Sequence, residues 1–184
     1  MVAYMNGWEG TYFETEWGTG FAKAYQEGYE FIAMLPKAEG PVDLSVLNID
    51  EFLATRTGAY DVHIKLPKFE LEYSTSLTDT LTDLGLGSLF DTGAMNGMLT
   101  DEALAGGWGA HVSDVIHKTY MKMYEEGTEA AAVTGVIVVA ESVAMPKEMK
   151  EVFLDRPFAF LIRDTTSGQV VFCGIINHPL LTEP

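Results

Sequence analysis

Cysteine is nearly missing from this chain of 184 residues: Cys173 stands alone. One thiol excludes an internal disulfide and a cysteine-built zinc cage, and it fits either redox compartment. Basic residues are scarce as well. Eleven Lys and Arg face 27 Asp and Glu, a net charge of −16 with His neutral. Phosphate binding needs a basic face, so nucleic acid is excluded as a partner. An anionic membrane surface is excluded on the same ground. Long apolar runs are lacking too. The longest, Ala130 to Ala140, contains Thr134 and Gly135 and falls short of the ~20 residues that span a bilayer. The opening MVAYMNGWEG has no basic n-region, apolar h-region or small-residue cleavage site, so it does not read as a signal peptide.

Catalytic constellations are also missing. His63, His111, His117 and His178 lack metal-ligand spacing. Gly18-Thr19-Gly20 lacks the next glycine of a dinucleotide fingerprint, and no G-x-S-x-G or phosphate loop occurs. Cys173 lies in the apolar run VVFCGII and reads as a packed core thiol rather than a nucleophile. His117, on a strand, reads as an ordinary hydrogen-bonded histidine. No catalytic residue, metal or cofactor is implied, and the chain reads as not an enzyme.

What is present is enough apolar material for a core: 47% of residues, against 21% charged. Alternation and turn residues predict strands over Thr11–Glu16 and Phe21–Gln26, with a hairpin-like break at Trp17–Gly20, and over Tyr29–Leu35. One or two short helices are predicted over Asp43–Thr57, with Asp50 as a second cap. His63–Tyr73 alternates, and Pro67 demotes it to an edge strand or a bulge. Ser76 and Asp79 form a capping box for a helix that buries Leu77, Leu81 and Leu84 and ends at Gly85. Gly87–Phe90 reads as a short helical turn, Gly93–Gly109 as irregular and Val112–Tyr124 as a long strand. Pro157–Arg163 and Gln169–Ile176 form a hairpin. The fold class is α+β, with mixed, mainly antiparallel sheets and a few short helices in one compact unit.

Residues 127–145 are unusual. Small residues, Gly127, Thr128, Ala130, Ala131 and Ala132, lead into the β-branched run Val136–Val139. Gly135 and the alanines would pack a sheet core poorly, while Ala130 to Ala132 alone would suit a helix. A segment that is comfortable as neither, yet able to pair as a strand, suits a switch. An exposed VIVVA edge is an aggregation hazard that a protein keeps only for use.

These residues resemble the serpins, the serine protease inhibitors. His117-Lys118 and Glu125-Glu126-Gly127-Thr128-Glu129-Ala130-Ala131-Ala132 are similar to the strand and hinge before a serpin reactive loop. Leu154-Asp155-Arg156-Pro157-Phe158 resembles the signature that follows the loop, with Ala159 in place of a bulkier apolar residue. Phe172, Gly174 and Pro179 match the terminal strand, with His178 where asparagine is common. Leu66-Pro67-Lys68-Phe69 and Leu84-Gly85…Leu89-Phe90-Asp91 match earlier segments. The match runs in order over nearly the whole chain and corresponds to the C-terminal half of the family's fold, with residues 1–184 as that part of the domain and a reactive loop at about 127–147.

The resemblance implies a suicide-substrate inhibitor whose partner is a target serine protease. The protease attacks the loop and forms an acyl-enzyme, and the cleaved loop inserts as a strand into a metastable sheet. The missing N-terminal half, or another copy of the chain, is implied as a second partner. Secretion is suggested by resemblance only. A non-inhibitory fragment donating a strand to a partner is the competing expectation. The hinge suits insertion: Thr128, Ala130 and Ala132 are small, and Glu129 falls on the alternate, exposed face. Counting forward from the hinge places the reactive bond at Glu141–Ser142. Counting back from Pro157-Phe158 places it near Met145–Pro146, where proline disfavours cleavage. A glutamate-specific protease would read Glu141. An elastase- or subtilisin-like pocket would reject the carboxylate and take Val139 or Ala140. A trypsin-like pocket finds no basic residue in the run Val136 to Ala140, and the next one along is Lys147.

Overall fold

The structure, a computed structural model, describes residues 3–25, 28–43, 45, 47–124 and 146–179. They fall into two compact units, Met1–Glu70 with Lys122–Pro184, and Leu71–Met121, rather than the one unit expected.

The first unit holds two sheets. One is antiparallel and five-stranded, in the order β10 (Val170–Ile176), β9 (Phe158–Asp164), β4 (Tyr29–Pro36), β3 (Gly18–Ala24) and β2 (Tyr12–Glu14). The other places β5 (Tyr60–Pro67) between β1 (Tyr4–Glu9), which runs antiparallel to it, and β8 (Glu148–Phe153), which runs parallel. Central position explains the composition of β4, where Glu30 through Leu35 are all buried. Ile32 and Met34 share one core cluster with Phe13, Ala22, Ala159, Leu161 and Phe52, the last delivered by α1 (Ile49–Ala54). Phe52 stacks on Phe13 with centroids 5.0 Å apart. On β4's alternate positions, Phe31 stacks on Phe160 at 5.6 Å, and Phe160 on Phe172 at 6.0 Å. Each such pair adds about 0.5–1.5 kcal/mol beyond area burial.

Among the described residues, Glu30 is the buried charge of this unit, 3% exposed. Its carboxylate accepts from Arg56 Nη1 at 2.9 and 3.1 Å, from Arg163 Nη2 at 2.7 Å and from Arg163 Nε at 3.1 Å. Arg163 lies directly across from Glu30 on β9. Two guanidinium groups satisfy the carboxylate that burial would otherwise penalise.

Several local expectations change. The first hairpin bends at Thr15–Gly18, where the Thr15 N–H donates to the Gly18 carbonyl at 2.9 Å. Gly18 and Gly20 belong to β3 rather than to the break. Gly20 is required by close approach: a Cβ there would collide with the Ala33 carbonyl oxygen and lie 2.7 Å from Phe52 Cζ. The helix predicted over Asp43–Thr57 is confined to α1, capped by Asn48 Oδ1 accepting from Glu51 N at 3.1 Å, not by Asp50. His63–Tyr73 is not one edge strand. β5 is central in its sheet, and Pro67 occupies its last position, where a missing N–H is tolerated. Cys173 is exposed on β10, not packed, because β10 is the outermost strand of its sheet.

The second unit contains most of β6 (Phe69–Ser76) and β7 (Ile116–Met123), which form a two-stranded sheet. Between them lie α2 (Thr78–Leu81), helical turns at Thr82–Leu86, Gly87–Phe90 and Asn96–Met98, and α3 (Asp101–Ala105). Gly85 ends the α2 region with φ +91°, a conformation that favours glycine. Ser76 does not form the predicted capping box. Its hydroxyl accepts from Thr78 N at 3.3 Å and donates to Asp114 Oδ1 at 2.5 Å. The expected buried leucine face is absent: Leu84 is 74% exposed, and Leu77 and Leu81 are half-buried. The stretch read as irregular contains α3, whose N-cap Thr100 Oγ1 accepts from Ala103 N at 3.3 Å.

Gly20→Ala should lower unfolding stability by at least the ~1–3 kcal/mol of core overpacking, because the collision is with backbone. Denaturant melts of the chain would measure it. An unchanged midpoint would mean that β3 and β4 separate freely at this point.

Candidate functional site

The predicted reactive loop falls between β7 and β8. The hinge, Glu125, Glu126, Gly127, Thr128, Glu129, Ala130, Ala131 and Ala132, lies outside the described residues, as do the reactive-bond candidates Val139, Ala140, Glu141 and Ser142. The structure describes the two flanks that carry this segment, β7 upstream and β8 downstream.

The upstream flank is the end of β7. Met121 and Met123 are buried there, while Ile116, Tyr120 and Lys122 face solvent. Tyr25 donates its hydroxyl hydrogen to Met123 Sδ at 3.7 Å, and burial pushes its phenol up to about 12. Lys122 Nζ lies 3.9 Å from Glu70 and 5.3 Å from the Tyr124 ring centroid. His117 is exposed, with Nε2 2.9 Å from Thr119 Oγ1. Among the described residues, β6 is the strand that pairs with β7.

The downstream flank is held more firmly. Lys147 Nζ donates to the Gly58 carbonyl at 2.8 Å, and β8 then pairs with β5 from Glu148↔Tyr60 to Phe153↔Lys65. Val152, Leu154 and Phe158 are all 0% exposed. Between the last two, Arg156 turns outward and donates to the carbonyls of Pro36 and Ala38. The Leu-Asp-Arg-Pro-Phe run is therefore a corner: two apolar anchors in the core and one cation gripping the chain at the end of β4. Ala159 sits opposite Met34 in the core cluster, a long side chain facing a short one. Gly174 leaves room for the Phe160 ring, whose Cε1 and Cζ would lie 2.8 Å from a Cβ. Pro179 is buried and His178 exposed.

One cluster beside this flank was not predicted. Trp8 on β1 stacks on His63 of β5 at 5.0 Å, and His63 meets Phe153 of β8 edge-on at 5.2 Å. The signal was available in the alternation of β5, where His63 falls out of phase with Val62, Ile64 and Leu66. The partner strand β1 was not recognised, so Trp8 had no neighbour. Among the described residues, no group of three or more His, Cys, Asp or Glu could hold a metal ion. None of their helices is long and apolar enough to cross a membrane.

The family model Serpin (serine protease inhibitor) matches residues 10–179. Iripin-4 of Ixodes ricinus is 38% identical over 155 residues, covering 82% of this chain and 37% of that protein. Leukocyte elastase inhibitor A of Mus musculus is 37% identical over 121 residues, covering 65% of this chain and 30% of that protein. The native-state structure of the thermophilic serpin tengpin superposes with a TM-score of 0.60 at 33% identity, covering 95% of this chain and 46% of tengpin. The chain thus spans less than half the length of these relatives, and its mixed, mainly antiparallel sheets are a partial serpin fold. The family model covers residues 10–179, nearly the whole chain, and the chain belongs to the serpin family.

Proposed function

We propose that this chain acts in the inhibition of serine proteases, as the bait-carrying part of a serpin-type suicide substrate. The observation that carries this reading is the family match over residues 10–179, together with two flanks suited to holding a bait loop. Residues of about 127–147 are the bait. A protease serine attacks the reactive bond and forms an acyl-enzyme, and the freed hinge, Glu125 to Ala132, adds to the sheet beside β7. The chemistry belongs to the protease. This chain supplies the loop, its firm downstream anchor and one neighbour for the incoming strand. The target is an elastase- or subtilisin-like protease, with cleavage between Val139 and Ser142 and the bond at Glu141–Ser142 or just before it.

Insertion needs a strand on each side, and β7 is one. The second belongs to a serpin N-terminal half or to another copy of the chain. The spans of 37% of Iripin-4 and 46% of tengpin favour this two-part reading.

Incubated alone with pancreatic elastase, residues 1–184 should be cleaved between Val139 and Ser142 without a lasting complex. A detergent-stable complex should appear once a serpin N-terminal half is added. Mass spectrometry and denaturing gels read both results. Cleavage outside Val138–Ala144, or faster complex formation with trypsin, contradicts the target. A stoichiometric complex from a monomer of this chain contradicts the two-part requirement.

Thr128→Arg or Ala130→Arg should leave cleavage intact and abolish the complex, because a buried unpaired charge costs about 3–5 kcal/mol. An unchanged stoichiometry of inhibition would remove the hinge assignment.

A further inference from the structure

Lysine and arginine are absent between Lys68 and Lys118, a stretch that carries eight Asp and Glu. Within it, in the second unit, residues 93–110 form a closed loop. The Met95 N–H donates to the Ala110 carbonyl at 2.8 Å, and the Ala110 N–H donates to Asn96 Oδ1 at 2.9 Å, so the two ends of the loop share a neck. α3 lies inside the loop, and the chain leaves it with the Trp108 N–H donating to the Ala103 carbonyl at 3.1 Å. Compact surface loops of this kind are packed by their own side chains. Here the large apolar ones turn outward instead: Met98 is 76% exposed, Trp108 72% and Leu104 38%. Asp101 and Glu102, in the first turn of α3, are exposed on the same loop. The backbone of Trp108 is tied down while its ring meets solvent.

We propose that this loop is a docking surface for a basic segment of a partner protein, one in which Lys or Arg alternate with apolar side chains, and that Trp108 is its anchor. The proposal is independent of the bait reading. Large apolar side chains held in water on a folded loop mark interaction sites. Tryptophan supplies the binding energy of such surfaces, and methionine adapts to the shape of what covers it. Charge selects the occupant. With no Lys or Arg between Lys68 and Lys118, this region repels a nucleic acid or an anionic membrane. Two copies docked through the same face would bring the same carboxylates together, which disfavours a symmetric dimer. A basic partner meets the opposite field. Its ammonium or guanidinium groups find Asp101 and Glu102, and the indole of Trp108 accepts a cation on its face as readily as an apolar side chain. The partner's apolar positions then cover Met98 and Leu104. Little backbone freedom remains to be lost at Trp108 on binding, which favours it as the anchor.

The test is titration of residues 1–184 with a synthetic Lys-Leu amphipathic peptide, followed by tryptophan fluorescence and by calorimetry. Binding should shift the emission to the blue. Trp108→Phe should remove that shift, and Trp8→Phe should keep it. Trp108→Ala should raise Kd about tenfold, the scale of one interface hot spot. Met98→Ala should raise Kd as well. Asp101→Asn combined with Glu102→Gln should raise it at low salt and not at high salt. A Glu-Leu peptide of the same pattern should not bind, and a Lys-Ser peptide of the same charge should bind about tenfold more weakly than the Lys-Leu peptide. Circular dichroism of each variant should match the parent. If Trp108→Ala and the Asp101→Asn, Glu102→Gln pair both leave Kd unchanged, the peptide sits elsewhere on the acidic chain and the proposal is overturned. Equal affinity for the Lys-Ser and Lys-Leu peptides would mean that charge alone draws the peptide, which also overturns it. If Trp108→Ala instead weakens association with a serpin N-terminal half, the loop is an internal seam and no docking surface remains.

Discussion

The antiparallel ladder between β4 and β9 is the constraint on which the rest of the first unit depends. It runs from Tyr29↔Asp164 to Met34↔Ala159 and places both strands in the middle of the five-stranded sheet. Its register puts Glu30 opposite Arg163, which turns a buried carboxylate into a satisfied one. A slip of one residue would move Glu30 and Ile32 to the wrong faces together. The same ladder begins directly after the Leu154–Phe158 corner, so the core that buries Ile32 and Leu161 also fixes the chain downstream of the proposed bait.

That arrangement separates rigidity from reactivity. The downstream flank enters through Lys147, pairs with β5 and ends in two fully buried anchors. The upstream flank has one described partner strand and a face on which Ile116, Tyr120 and Lys122 remain exposed. A bait loop that must stay attached after its own cleavage benefits from this asymmetry. The fixed end keeps its half of the cut chain in place, and the other end belongs to the strand beside which the hinge is proposed to add.

Legibility followed the physics of each segment. The strands of the five-stranded sheet were readable because their signal is local: alternating or continuous apolar runs between turn residues, as in Tyr29–Leu35 and the Asp164–Gly168 hairpin. β1 and β8 were missed because the apolar residues of YMNGWE and EMKEVF do not fall on one alternating face, and both form by pairing with the distant β5. Gly20 was misread because a turn and a close approach ask for the same residue, and the collision with Ala33 and Phe52 appears only when three elements meet. Leu84 and Cys173 were placed inside because periodicity reports which residues share a face, not whether anything covers it. The proposed bait rests on a motif of small residues and alternation that lies outside the described residues, whereas the Trp8–His63–Phe153 row needed three strands in register.

The central claim is that the segment after β7 becomes a strand paired with β7 once it is cut. Hydrogen exchange at the amides of Ile116–Met123, before and after elastase cleavage of the chain associated with a serpin N-terminal half, tests this most directly. Pairing on a second side would slow exchange at alternate amides of β7, and the account predicts that slowing after the cut. Exchange that is unchanged or faster across β7 would contradict it.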